Sequence, residues 1–125
     1  MPNLLLVMLG GATGSAARYL TGRLTLAWFG PGYPWGTLAV NLIGGFLMGL
    51  LAGGLMRLGA ASGYWWPLLG VGVLGGFTTF SSFSLDTMTM LERGAWMPAL
   101  GYILVSVIGS IAALAVGMQL IKAVA

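Results

Sequence analysis

Four long apolar stretches account for most of the chain, and short polar or turn-forming pieces separate them. The first covers about residues 4–25 and is crossed by Arg18 and Arg23. The second covers about 35–56 and ends at Arg57. The third, about 64–91, opens on Tyr64-Trp65-Trp66-Pro67, aromatic rings of the kind that sit at headgroup level. The fourth covers about 96–121, with Lys122 closing it. Phe29-Gly30-Pro31-Gly32-Tyr33-Pro34 is a turn cluster through which no helix continues, and Gly59-Ala60-Ala61-Ser62-Gly63 reads as a connector. One span takes about 20 residues. The pattern therefore predicts an all-α membrane protein, with a single four-helix transmembrane domain over residues 1–125.

The third stretch is interrupted. Residues 75–84 read Gly75-Gly76-Phe77-Thr78-Thr79-Phe80-Ser81-Ser82-Phe83-Ser84, and the run of small and hydroxylated residues predicts a broken helix at 75–82. Irregular backbone at membrane depth is tolerated only where protein buries it or a watery or ionic path runs beside it. The break thus points to passage of an ion or solute. A half-helix ending near Gly75-Gly76 exposes orphan carbonyls and a negative dipole end, which favour a cation. Carbonyls from two protomers meeting there could enclose a monovalent metal ion, and Thr78 and Thr79 are placed to cap the half-helix that follows.

Composition narrows the chemistry. The 125 residues are 58% hydrophobic and only 6% charged, too few charges to cover a water-facing surface. Cys and His are absent, which removes disulfides, imidazole proton shuttles and soft-metal ligands. Asp86 and Glu92 are the only carboxylates, no nucleophile–base pair or phosphate loop is evident, and nothing suggests a nucleic-acid partner. The N-terminus lacks the basic region of a secretory signal.

Four spans would put both termini on one side. Arg57 and Lys122 would lie with them, and Arg18, Arg23 and Arg93 opposite. Two against three leaves almost no bias for orientation to follow. Dual topology with antiparallel dimers and a single orientation set by other features both remain open. A protomer this small fills its own centre with side chains, so a path is easier to build between subunits. Gly10 with Gly14, Gly45 with Gly49, Gly72 with Gly76 and Ser106 with Ser110 mark possible close helix approaches. Ordinary packing within one protomer is the simpler use of each.

One set of polar residues inside the spans is uncharged. Asn41 sits in the second stretch with Thr37 one turn earlier, and Tyr102, Ser106 and Ser110 share a face of the fourth. All can donate hydrogen bonds and none titrates near neutral pH. A proton-coupled exporter wants a buried carboxylate or histidine; cation selection wants carbonyl or carboxylate rings. Neutral donors along a narrow path suit a small anion. Phe80 and Phe83 flank Ser81 and Ser82, and aromatic edges carry the positive side of the ring quadrupole.

These motifs occur together and in order: Gly10-Gly11 through Gly14 to Arg18-Tyr19; Gly36-Thr37-Leu38 with Val40-Asn41; Gly75-Gly76 through Thr78-Thr79-Phe80-Ser81 to Phe83-Ser84; then Leu91-Glu92-Arg93-Gly94 and the Ser106/Ser110 pair. On them the chain resembles the Fluc/CrcB fluoride channels over essentially its whole length. The resemblance implies an antiparallel dual-topology homodimer in the bacterial inner membrane, with two fluoride pores and a central structural Na⁺. By position it implies pore roles for Asn41, Phe80, Phe83 and Ser110, with Thr37, Thr79, Ser81, Ser82, Tyr102 and Ser106 around the polar path. It assigns Gly75 and Thr78 as backbone carbonyl donors to Na⁺, and Arg18 to the aqueous vestibule. Phe77 and Asp86 depart from the family pattern, which often has an aliphatic residue and Glu there.

The expected activity is passive F⁻ conduction that relieves fluoride toxicity. Hydrogen fluoride crosses lipid and dissociates inside, whereas F⁻ cannot leave unaided. A negative-inside potential drives an anion out at about 2.3 kcal/mol per 100 mV, so no coupled energy source is needed. Two rivals share the size and charge balance: a small dual-topology proton-coupled multidrug exporter, and a non-transporting membrane assembly subunit. For the exporter, Asp86 is the one candidate carboxylate within a span.

Overall fold

A computed structural model of the chain describes residues 2–58 and 63–124, which are mostly helical with no strand among them. Helix α1 is Pro2–Phe29 and α2 is Trp35–Leu58. A π-helical segment, Trp66–Leu74, passes directly into a single α-helical turn, α3 at Gly75–Phe77. Residues 78–79 are extended, α4 resumes at Phe80–Glu92, and α5 is Trp96–Val124. The predicted connector over 59–63 falls, except for Gly63, outside the described residues.

Among the described residues, three segments are long and apolar enough to cross a membrane: Trp35–Arg57, the interrupted Trp66–Glu92 and Trp96–Val124. Helix α1 has 28 residues, ~42 Å at 1.5 Å per residue, but carries Arg18 and Arg23 and is not among those three. Large apolar side chains along α5, such as Leu104, Ile108, Ile111 and Val116, face outward. That inside-out pattern suits a lipid or protein neighbour, because water gives no return for exposing them.

Two turns are set by local chemistry. Gly30, with φ +78°, ends α1, and its N–H donates to Leu26 O at 2.9 Å. Gly94, with φ +79°, ends α4: its N–H reaches Leu91 O at 3.0 Å, and Ala95 N–H reaches Met90 O at 2.9 Å. This paired arrangement satisfies carbonyls the helix end would orphan and turns the chain straight into α5.

Small residues are spent inside the protomer. Gly10 and Gly14 let α1 lie backbone-to-backbone against Leu68, Gly72 and Val73, and Gly76 meets Gly11 in return. Gly45 and Gly49 do the same for α2 against Ser110 and Leu114 of α5, with Gly117 answering from the other side. Intramolecular packing is thus what all three glycine pairs serve, and they join α1 to the interrupted span and α2 to α5. Between these pairs, Leu38, Met90, Ala99 and Tyr102 form a buried cluster flanked by Tyr33 and Phe83.

Candidate functional site

The break is two residues long, shorter than the eight anticipated, because α4 starts at Phe80. Thr78 (φ −83°, ψ 159°) and Thr79 (φ −154°, ψ 124°) are extended, so the helical ladder stops there. Buried backbone groups must find other partners. Thr78 turns back: its N–H and its Oγ1 both donate to Leu74 O, at 3.0 and 2.9 Å. Thr79 looks forward and caps α4, its Oγ1 accepting from Ser82 N–H at 3.2 Å. Of the two threonines expected to cap the second half-helix, only Thr79 does so.

Two residues from neighbouring helices complete the break. Asn41 of α2 donates from Nδ2 to Thr79 O at 3.0 Å and accepts at Oδ1 from Thr79 N–H at 2.9 Å. Arg18 of α1 donates from Nε to Gly76 O at 3.0 Å. These contacts also determine which carbonyls are left over. Thr79 N–H is the usual i+4 donor for Gly75 O, and Asn41 has taken it. Ser82 N–H is the usual donor for Thr78 O, and Thr79 Oγ1 has taken that one. Gly75 and Thr78 therefore present carbonyl oxygens without their ordinary helical donors.

The predicted polar residues divide between two cavities. An open groove of about 370 Å³ is lined by Asn41, Thr79, Phe80, Phe83, Ser106 and Ser110. Phe80 is 78% exposed, and its ring centroid lies 5.6 Å from that of Phe83. Ser110 Oγ donates to Asn41 O at 3.4 Å, and the Ser106 hydroxyl, although buried, has no partner among the described residues. A second cavity of about 310 Å³ is lined by Arg18, Arg23, Thr37, Thr79 and Ser82. Thr79 is the wall common to both. The first offers neutral donors and aromatic rings; the second adds two guanidinium charges.

Two candidates fall elsewhere. The Ser81 hydroxyl is exposed and pairs with Thr79 Oγ1 at 3.4 Å. Tyr102 shares the helix face of Ser106 and Ser110 but is fully buried, and its hydroxyl donates to Asp86 Oδ2 at 3.1 Å. Its ring backs Phe83 at 5.2 Å. Asp86 in turn borders the cavities beside Pro31, Tyr33 and Pro34. Burial pushes the phenol of Tyr33, in the α1–α2 turn, above its ordinary range.

The family model described as "CrcB-like protein, Camphor Resistance (CrcB)" matches residues 5–118. The chain belongs to the CrcB-like family. CrcB-like relatives match it from end to end. A protein of Phenylobacterium zucineum (strain HLK1), named "Fluoride-specific ion channel FluC", is 56% identical over 125 residues, covering 99% of this chain and 98% of its own. Proteins of the same name from Caulobacter sp. (strain K31) and Mesorhizobium japonicum are 53% and 49% identical, each over 98% of this chain and over 96% and 98% of their own. Its apolar helices and this membership make the CrcB-like chain a multi-pass bacterial membrane protein.

Composition and spacing alone did not reveal the direct bond from Arg18 to the break. A signal was present: Gly11, Gly14 and Arg18 stand at i, i+3 and i+7, one face of α1. That face meets the interrupted span.

Proposed function

We propose that this protein is the protomer of a passive, fluoride-selective channel that lets F⁻ leave a bacterial cell and so relieves fluoride toxicity. The observation that carries the reading is full-length similarity to several proteins named fluoride-specific ion channels. The chemistry beside the break supports it.

The entering anion meets the cavity of Arg18 and Arg23 first, where guanidinium charge raises its local concentration. Beyond Thr79 the charges end. Asn41, Ser106, Ser110 and the rings of Phe80 and Phe83 offer amide, hydroxyl and ring-edge positive charge in place of water. Neutral donors favour the anion without trapping it, which conduction requires. Thr37 and Ser82 belong to the charged side of this path, Ser81 pairs with Thr79 at its edge, and Tyr102 supports Phe83 from behind.

The reading includes four spans, with α1 as the fourth, and an antiparallel dual-topology homodimer. Support comes from the near balance of basic residues across the spans and from the open groove, whose exposed Phe80 asks for a covering partner. The glycine pairs are consumed within the protomer, so the second copy would cover the groove with larger side chains. Gly75 and Thr78 fit a structural Na⁺: hard cations take oxygen ligands, and these two carbonyls have lost their helical donors. Bound there, the ion would neutralise the negative end of the half-helix at the subunit interface.

Purified protein in vesicles tests the reading through potential-driven F⁻ efflux with pH equal on both sides. Flux that scales with the imposed potential and ignores a pH gradient is expected. Flux that requires a proton gradient would assign the chain to coupled export instead.

A further inference from the structure

The face of α1 that carries Gly11, Gly14 and Arg18 is pressed against the interrupted span. A Cβ on Gly76 would stand 2.7 Å from Gly11 O, and one on Gly14 would stand 2.9 Å from Phe77 N. Backbone contact this close leaves no room for α1 to slide. One turn beyond Gly14, Arg18 Nε donates to Gly76 O at 3.0 Å in a partly buried setting. Gly76 lies next to the last residue of the helical run that began at Trp66. The end of such a run carries orphan carbonyls and a negative dipole end. A guanidinium answers both at once, and a charge-assisted bond is about twice as strong as a neutral one.

Each end of the break is therefore held by one side chain from outside: Asn41 on Thr79, Arg18 on Gly76. We infer that Arg18 is a positioning residue. It clamps the end of the first half of the broken span, and its part in conduction runs through the placement of residues 75–79 as well as through attraction of anions. The geometry of the contact explains why arginine is suited here. The Nε–H is fixed in the guanidinium plane, close to the helix that bears it, while the remaining nitrogens can face the cavity shared with Thr79 and Ser82. Lysine brings the same charge but a compact, freely rotating ammonium.

The conduction arm of this inference rests on the fluoride-channel reading; the structural arm does not. Arg18→Lys and Arg18→Gln, purified and reconstituted, separate positioning from simple electrostatics. If Arg18 positions the break, hydrogen–deuterium exchange at the amides of residues 77–79 rises about tenfold or more in both variants, with the rest of the protein unchanged. Maximal F⁻ flux falls about tenfold in both, while half-saturating F⁻ moves by less than about twofold in Arg18→Lys, which keeps the charge. The deficit persists when ionic strength rises from about 0.01 to about 1 M, which screens a merely attractive charge. Wild-type protection and flux in Arg18→Lys, a salt-erased deficit in Arg18→Gln, or raised exchange with unaltered flux would each overturn it. Should neither variant assemble, solid-state magnetic resonance on isotope-labelled native protein tests the contact itself. An Arg18 Nε to Gly76 carbonyl correlation is expected, and its absence overturns the assignment. Native protein that conducts no fluoride yet shows this correlation would sink the channel reading and leave the clamp standing.

Discussion

Asn41 grips Thr79 by both of its backbone groups, donating from Nδ2 to Thr79 O at 3.0 Å and accepting at Oδ1 from Thr79 N–H at 2.9 Å. One amide side chain thereby replaces the helical acceptor that Thr79 N–H has lost and adds a donor to the carbonyl that opens α4. Asn41→Asp keeps the acceptor and loses the donor, setting a carboxylate oxygen against a carbonyl. Losing such a bond costs about 1–3 kcal/mol, so F⁻ flux is expected to fall about tenfold or more. Electrode-monitored efflux from vesicles checks this. Undiminished flux with normal assembly would remove Asn41 from the path.

Gly49 and Gly54 lie five residues apart on α2 and should respond in opposite ways. A Cβ on Gly49 would run into the Leu114 carbonyl of α5, whereas one on Gly54 would meet nothing within 4 Å among the described residues. Gly49→Ala is expected to cost about 1–3 kcal/mol through overpacking. Gly54→Ala should be neutral or gain up to about 1 kcal/mol from reduced backbone entropy in the unfolded chain. Thermal unfolding of the detergent-solubilised protein compares the two, and equal shifts would contradict the α2–α5 packing.

Phe80 and Phe83 differ in what supports them. Phe80 is 78% exposed, while Phe83 leans on Tyr102 and the buried cluster. Phe80→Ile should therefore shift the unfolding midpoint less than Phe83→Ile does, while lowering throughput. Phe83→Ile should lower both. The double variant retains its fold with reduced conduction, and wild-type flux from it would argue against an aromatic lining.

Tyr102 and Asp86 form a coupled pair. Tyr102→Phe keeps the buried ring but takes a donor from the carboxylate, a loss of about 1.5–3 kcal/mol for a bond to a charged group. Pairing it with Asp86→Leu removes both partners and should cost less than the sum of the two single changes. Strict additivity in a double-mutant cycle would mean that the two side chains do not interact.

Much of this molecule was legible from local pattern. Long apolar runs separated by turn-forming pieces such as residues 29–34 forecast the helices, and the small and hydroxylated residues of 75–82 marked the break, because both signals arise within a few residues of chain. The eight-residue extent anticipated for the break was too generous. Once Thr79 caps α4, Phe80-Ser81-Ser82 can be helical at once. The π-helical course of Trp66–Leu74 had no sequence forecast; it emerges where Gly72 meets Gly10 and the Trp66 ring covers Gly70. Arg18 to Gly76 and Asn41 to Thr79 connect residues 58 and 38 positions apart, so tertiary placement decides them. Tyr102 had the right helical spacing to join the serines, yet Asp86 draws its hydroxyl elsewhere.

The account stands or falls on a path of uncharged donors that conducts the smallest halide. Vesicles loaded with equal F⁻ and Cl⁻ and bearing purified protein should, on imposing a potential, release F⁻ rapidly and retain Cl⁻. Vesicles that hold both ions despite correctly assembled protein, or release both alike, would contradict it.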